Sequence, residues 1–225
     1  MGAIATLHLL RVFCDDDRRG GNPLAVFLDG GEIAPAERQA VAAALGLSET
    51  VFVDDAARGE LRIFTPAVEL GFAGHPTVGA AWLLARERAP IDVLRPPAGE
   101  LPAHAEAQSA FVTARPEWAP PFELERLPSA AAVEELDGPP RAHDLIAAWA
   151  WLDEDAGLVR ARVFPRRLGV REDEATGTAA VRLCALLERP IDIRQGRGSR
   201  ILAGPREGGG VEIGGRVELD GLRTL

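Results

Sequence analysis

Two stretches of this chain follow one plan. Residues 62–88 read RIFTPAVELGFAGHPTVGAAWLLARER and residues 162–189 read RVFPRRLGVREDEATGTAAVRLCALLER. Each begins as an apolar strand, passes through an acidic loop and a Gly-containing turn, and ends in a helix closing on Leu-Leu-x-Arg. Arg62 and Arg162 stand 100 residues apart, Gly74 and Gly177 stand 103 apart, and Pro90-Ile91-Asp92 recurs 100 residues later as Pro190-Ile191-Asp192. A repeat this long exceeds a solenoid unit and lets each copy bury its own core. The expectation is two related domains, 1–95 and 96–225, with one cleft between them.

Composition then removes whole chemistries. All 25 basic residues are Arg, so no lysine is present to form a Schiff base, hold pyridoxal phosphate or complete a Walker A loop. Tyr is absent as well, which leaves acid–base work to Asp, Glu, His and Cys. A net charge of −9 without a basic block argues against nucleic acid or an anionic membrane as partner. An anionic ligand must therefore be held by local groups. Two cysteines, Cys14 and Cys184, make neither a disulfide scaffold nor a clustered zinc site. No apolar run nears the ~20 residues that span a bilayer, and the first residues lack a basic segment with a cleavage pattern; a cytoplasmic location is expected.

Hydropathy patterning predicts strands at 7–13, 25–28, 51–53 and 61–64, with an acidic, glycine-rich loop over 15–23. Helices are predicted over 35–45, from Pro76 at a first helical position to about Arg88, near 130–136, and over 178–187. Three side chains stand out against this frame. Glu49 lies at the mouth of a strand in an otherwise apolar stretch, where desolvation would raise its proton affinity; the alternative is a solvated or structural loop carboxylate. His75 opens a helix, where the positive end favours a neutral imidazole, unless it is only a cap. Asp173 precedes the second copy's helix, where it would also serve to cap free amides. Gly74 with His75, and Gly177 with Thr178, could leave backbone amides open to a substrate carboxylate. The other histidines, His8, His104 and His143, show no ligand spacing with His75, so no metal is expected.

Four segments in order resemble the PhzF-like phenazine biosynthesis family of the diaminopimelate epimerase superfamily. They are Gly21-Asn22-Pro23-Leu24-Ala25-Val26, Leu47-Ser48-Glu49-Thr50, Phe64-Thr65-Pro66 with Phe72-Ala73-Gly74-His75-Pro76-Thr77, and Glu172-Asp173 with Ala175-Thr176-Gly177-Thr178-Ala179. The resemblance implies an α+β fold of two pseudo-symmetric domains, each a curved, mostly antiparallel sheet around a central helix. It implies a cofactor-independent isomerase acting on a small anionic metabolite; the type member isomerises trans-2,3-dihydro-3-hydroxyanthranilate. By the same resemblance Glu49 shuttles the proton, His75 and Asp173 assist, and Asn22, Ser48, Gly74, Gly177 and Thr178 line the site.

The chain also departs from the family pattern. Glu174 stands where Pro is common, Thr178 where Ser is common, and Gln195-Gly196-Arg197-Gly198-Ser199 resembles a shortened Arg-Pro-Ser segment. The middle of the chain is short by several strands' worth of residues. Superfamily epimerases place a cysteine at each helix start, and those places here hold Ala73 and Thr176, which disfavours a two-thiol racemase. A non-catalytic binding or regulatory protein that keeps the cleft is the other reading, and a homodimer is an open option for either.

Overall fold

The computed structural model describes residues 5–224. In chain order the elements are β1 (Thr6–Cys14), β2 (Gly20–Phe27), α1 (Pro35–Leu45), β3 (Glu49–Asp55), β4 (Glu60–Phe64), β5 (Glu69–Leu70), α2 (Gly74–Glu87), β6 (Val93–Leu94), β7 (Leu101–Ala105) and β8 (Ser109–Ala114). They continue with β9 (Glu123–Arg126), α3 (Ala130–Glu134), β10 (Ile146–Asp153), β11 (Leu158–Phe164), α4 (Gly177–Leu187), β12 (Ile191–Gln195), β13 (Ser199–Pro205) and β14 (Val211–Thr224).

Two compact units form, and neither is one contiguous stretch. The first comprises Met1–Val12, Pro23–Val112 and Arg216–Leu225; the second comprises Phe13–Asn22 and Thr113–Gly215. The division expected at 95/96 treats each copy as a single run. Instead β1, β2, β8 and β14 each contribute residues to both units.

In the first unit the strand order is β5-β4-β3-β2-β1. Strand β2 runs parallel to β3, with α1 as the crossover, and β3 and β4 form an antiparallel hairpin. Pro35 starts α1 and Gly46, at φ 64°, ends it in the left-handed conformation that favours glycine. Alternation along β3 turns Thr50 and Phe52 towards α1, where Phe52 stacks on Phe27 at 5.1 Å and meets Phe64 edge-on at 5.5 Å. Arg38 of α1 lies over the Phe52 ring and is ion-paired to Asp54 at 2.7 Å. The opposite face of β3 is left for α2. That helix is buried continuously from Gly74 to Leu84, so apolar surface covers it on every side.

The second unit repeats the scheme. Strand β9 runs parallel to β10 with α3 between them, β10 and β11 form a hairpin, and β11 runs parallel to β12 with α4 between. Strands β12, β13 and β14 continue antiparallel. Ile146 and Ala148 of β10 pack with Phe164, Leu127 and Leu136, while Ala147 turns the other way onto Ala179 of α4.

The hairpins show how closely the copies correspond. A bulge interrupts β3–β4 between Val53 and Asp55, and another interrupts β10–β11 between Trp151 and Asp153. Asp55 accepts the amides of Ala57 and Arg58, and Asp153 accepts that of Ala156. Gly59 and Gly157 then turn each hairpin at φ 68° and 70°, and their carbonyls accept the amides of Arg95 and Asp192. This register aligns Arg62 with Arg160, not with Arg162 as the sequence repeat suggested. The reason is length: Gly74 follows Arg62 by 12 positions and Gly177 follows Arg160 by 17, so the longer approach to α4 raises the offset, and α4, at 11 residues against 14 in α2, lowers it again.

Other expectations shift slightly. Strand β2 begins at Gly20, inside the predicted loop, because Gly20 and Gly21 take positive φ there. Helix α2 starts two residues before Pro76, and the short helix at Ala130–Glu134 is capped by Ser129, whose hydroxyl accepts the Ala132 amide.

Candidate functional site

Glu49 is the first residue of β3. Since Thr50 and Phe52 face α1, the pleat points Glu49 at α2, where its Oε2 lies 3.3 Å from His75 Nε2. Only 17% of the Glu49 side chain is exposed. Burial pushes its pKa up to about 7, although a hydrogen bond to the Ser48 side chain pulls the other way. A carboxyl group poised near neutrality can both take and return a proton.

His75 is the second residue of α2 and is itself buried. Ala73 holds the extended N-cap position and offers no side-chain cap; Thr77 instead turns its hydroxyl back to the carbonyls of Ala73 and Gly74. The start of the helix therefore carries glycine, imidazole and proline, with no acidic residue in its first turn.

In the second unit the polar groups gather on the approach to α4. Asp173 bridges to β11 through its amide, which donates to the Val163 carbonyl. Its carboxylate is engaged by two side chains. Oδ1 accepts from Asn22 Nδ2 at 2.8 Å and Oδ2 accepts from the Thr176 hydroxyl at 2.6 Å. Thr176 holds the N-cap position of α4. Asn22 spends its second amide hydrogen on the Ala175 carbonyl.

Gln195 closes this cluster from β12. Its Nε2 donates to the Asp173 carbonyl and to the Thr176 hydroxyl, and its Oε1 accepts the Thr176 amide. Gly177 and Thr178 open α4 and are both buried. Glu174 turns away and accepts from the Arg197 amide and the Ser199 hydroxyl.

The predicted residues thus form two groups. Ser48, Glu49, Gly74 and His75 belong to the first unit, and Asn22, Asp173, Gly177 and Thr178 to the second. Glu49 meets His75, and Asn22 meets Asp173. Sequence reasoning did not single out Thr176 and Gln195 as site residues. A signal for Gln195 was present: Ile191, Ile193 and Gln195 alternate on one buried face, so an amide at that place needs partners.

Cys14 lies in β1 with its thiol near the Gly20 carbonyl, and Cys184 lies inside α4 near the Arg189 carbonyl. Burial pushes the Cys184 thiol up to about 11, the wrong direction for a base. Among the described residues no three His, Cys, Asp or Glu side chains group as a metal site, and no helix is long and apolar enough to cross a membrane.

Comparison with known proteins adds the family. Residues 10–138 match the phenazine biosynthesis-like protein family, PhzC-PhzF. The chain is 32% identical over 245 aligned positions to trans-2,3-dihydro-3-hydroxyanthranilate isomerase of Pseudomonas aeruginosa, covering 91% of this chain and 87% of that one. It is 49% identical over 81 residues to an uncharacterized isomerase of Pasteurella multocida, a match covering 34% of this chain and only 28% of the relative. The fold resembles the crystal structure of a PhzF-family phenazine biosynthesis protein of Bacillus anthracis, with a TM-score of 0.80, 17% identity and 99% of both chains covered. An alignment longer than the 225-residue chain means that this protein lacks segments its Pseudomonas relative has. With two units of mixed sheet built on buried helices, matched in both sequence and fold, the chain belongs to the PhzC/PhzF phenazine biosynthesis-like family and has the α+β diaminopimelate epimerase-like fold.

Proposed function

We propose that this protein is a cofactor-independent isomerase that moves a carbon-bound proton on a small, carboxylate-bearing metabolite, with Glu49 as general acid and base. The observation that carries this reading is the Glu49 carboxyl group, buried beside His75 with its pKa pushed up to about 7. In the first half-reaction a substrate C–H bond breaks and a Glu49 O–H bond forms. In the second that O–H bond breaks and a new C–H bond forms at another carbon as the double bond shifts. No electrons are gained or lost overall, so no redox partner is needed.

His75 orients the Glu49 carboxyl and assists the transfer. Asp173, held by Asn22 and Thr176, is suited to accept a substrate hydroxyl or ammonium proton in a fixed direction. Ser48, Gly74, Gly177 and Thr178 are assigned to the lining, with the two helix starts favouring a substrate carboxylate. A two-thiol racemase fits poorly, because Ala73 and Thr176 hold the helix N-caps and neither removes a carbon-bound proton.

The test uses trans-2,3-dihydro-3-hydroxyanthranilate in deuterium oxide, followed by NMR. Isomerised product should carry solvent deuterium, and Glu49→Gln should form it about 10²–10⁴-fold more slowly. Unchanged turnover by Glu49→Gln would overturn the mechanism.

A further inference from the structure

Glu174 is adjacent to Asp173 yet points into a different network. Its Oε1 accepts from the Arg197 amide at 2.8 Å and from the Ser199 hydroxyl at 2.9 Å. Ser199 is buried, and its oxygen also accepts from the Gly21 amide at 2.9 Å. The Gly21 amide can only donate, so the single Ser199 hydroxyl hydrogen is committed to Glu174. The next residue after Gly21 is Asn22, whose carboxamide gives one hydrogen to Asp173 Oδ1 and the other to the Ala175 carbonyl.

These bonds close a ring. Asp173 and Ala175 flank Glu174 in sequence, and Asn22 reaches both of them, while Glu174 reaches back through Ser199 to the residue before Asn22. The turn that completes the ring is shaped around the carboxylate. Gly196 takes φ 57°, and a Cβ there would lie 2.4 Å from Glu174 Cδ and 2.5 Å from its Oε1. Any side chain at 196 would therefore displace Glu174. Two places where this chain departs from the family pattern, Glu174 and the 195–199 segment, are thus in direct contact.

We propose that Glu174 is a positioning residue for Asp173, acting through Ser199 and the Gly21–Asn22 segment to hold the Asn22 carboxamide against the Asp173 carboxylate. The inference rests on the reading of Asp173 as a substrate-orienting group. Among the described residues the charge of Glu174 faces only the solvent-exposed Arg197 Nε, at 3.8 Å, and a neutral acceptor in the same place can receive both hydrogens. Glu174→Gln should therefore preserve the arrangement, and Glu174→Ala should release it.

The readout is hydrogen exchange of the Asn22 side-chain amide by 15N NMR on the full chain, with the cross-peaks assigned by their loss in Asn22→Ala. Glu174→Ala should speed that exchange at least tenfold and Ser199→Ala should do the same, while Glu174→Gln stays near the native rate. Glu172→Gln should also stay near native, since Glu172 is paired with Arg162 instead. If Glu174→Ala does not fold, Ser199→Ala decides alone. Native exchange in Ser199→Ala, or equal acceleration by Glu172→Gln, would overturn the proposal. The measurement needs no turnover, so a protein inactive on trans-2,3-dihydro-3-hydroxyanthranilate would count against the isomerase and leave this test standing. Where turnover is seen, Glu174→Ala should lower kcat more than it raises KM, and Glu174→Gln should restore it.

Discussion

The two units share a scaffold and differ in what they mount on it. Both have the bulged hairpin, the positive-φ glycine and a buried helix entered through an uncapped N-terminus. The hairpin register that aligns Gly59 with Gly157 aligns Glu49 with Ala147, and the helix starts align His75 with Thr178. The first unit thus places an acid and an imidazole on the face its helix covers, and the second places a methyl group and a hydroxyl. The second unit keeps its carboxylate on the preceding loop, with both oxygens hydrogen-bonded. The frame recurs and the side chains differ: one copy holds a buried carboxyl group with a raised pKa, and the other a carboxylate whose two oxygens both accept hydrogen bonds.

The largest effect should come from removing the tuned group. Glu49→Gln keeps the shape and the hydrogen-bonding capacity but cannot exchange a proton, so turnover should fall by about 10²–10⁴-fold. If Glu49 is the base proposed above, kcat/KM of the native protein should rise with pH and level off above about 7, where its carboxyl group is ionised. Asp173→Asn, tested in parallel, should shift binding more than it shifts this pH midpoint.

The converse experiment installs the acid in the other copy. Ala147 is buried among Phe122, Leu145, Val163 and Ala179, and the helix position aligned with His75 holds Thr178. Ala147→Glu should cost about 3–5 kcal/mol of stability at pH 8, the usual scale for an uncompensated buried charge. The loss should shrink at pH 4.5, where the new carboxyl is protonated. Urea melts at the two pH values read the difference, and a cost independent of pH would mean that steric overlap dominates.

Glu49 itself should leave a trace in stability. Its folded pKa is raised, so the folded state binds the proton more tightly than the unfolded chain does. The stabilisation is complete below the unfolded value of about 4.5 and is lost as pH rises through about 7. A shift of this size corresponds to roughly 3 kcal/mol. Glu49→Gln should flatten that slope, becoming more stable than the native protein at pH 8 in urea melts. Equal slopes for the two proteins would contradict the raised pKa.

Much of this organisation was legible in the sequence because it rests on local patterns. The helices at Pro35–Leu45 and Gly177–Leu187, the latter expected from 178, follow from apolar spacing and from Pro and Gly near their ends; Glu49 stood out as a polar group in an apolar stretch and His75 as an imidazole at a helix start. The domain division was less legible, since β1 and β14 pass from one unit to the other and pairing between strands over 200 residues apart in sequence leaves no local mark. The register of the repeat slipped by two residues at Arg62 because matching letters drew Arg162, whereas the bulges and the glycine turns fix Arg160. The local alternative for Asp173, a helix cap, came from its place in the sequence, as does its bond from Thr176; its bond from Asn22, 151 positions away, has no local signal.

The smallest expected effect tests whether the copies are equivalent as scaffolds. Gly59 and Gly157 both need positive φ, and a left-handed conformation costs an ordinary residue about 1–2 kcal/mol. A Cβ at Gly59 would lie 2.4 Å from the Val93 carbonyl oxygen and 2.6 Å from Ile91 Cδ1, whereas one at Gly157 would lie 2.7 Å from the Pro190 carbonyl oxygen with nothing else nearer than 3.7 Å. Gly59→Ala and Gly157→Ala should each lower stability by about 2 kcal/mol or more, the former by the larger amount. Since these turns lie at the far end of the hairpin from the start of β3, neither substitution should move the pH midpoint set by Glu49. A shifted midpoint in Gly59→Ala would show that hairpin strain is transmitted along β3 to the carboxyl group, and the first copy would then be tuned by its scaffold as well as by its side chains.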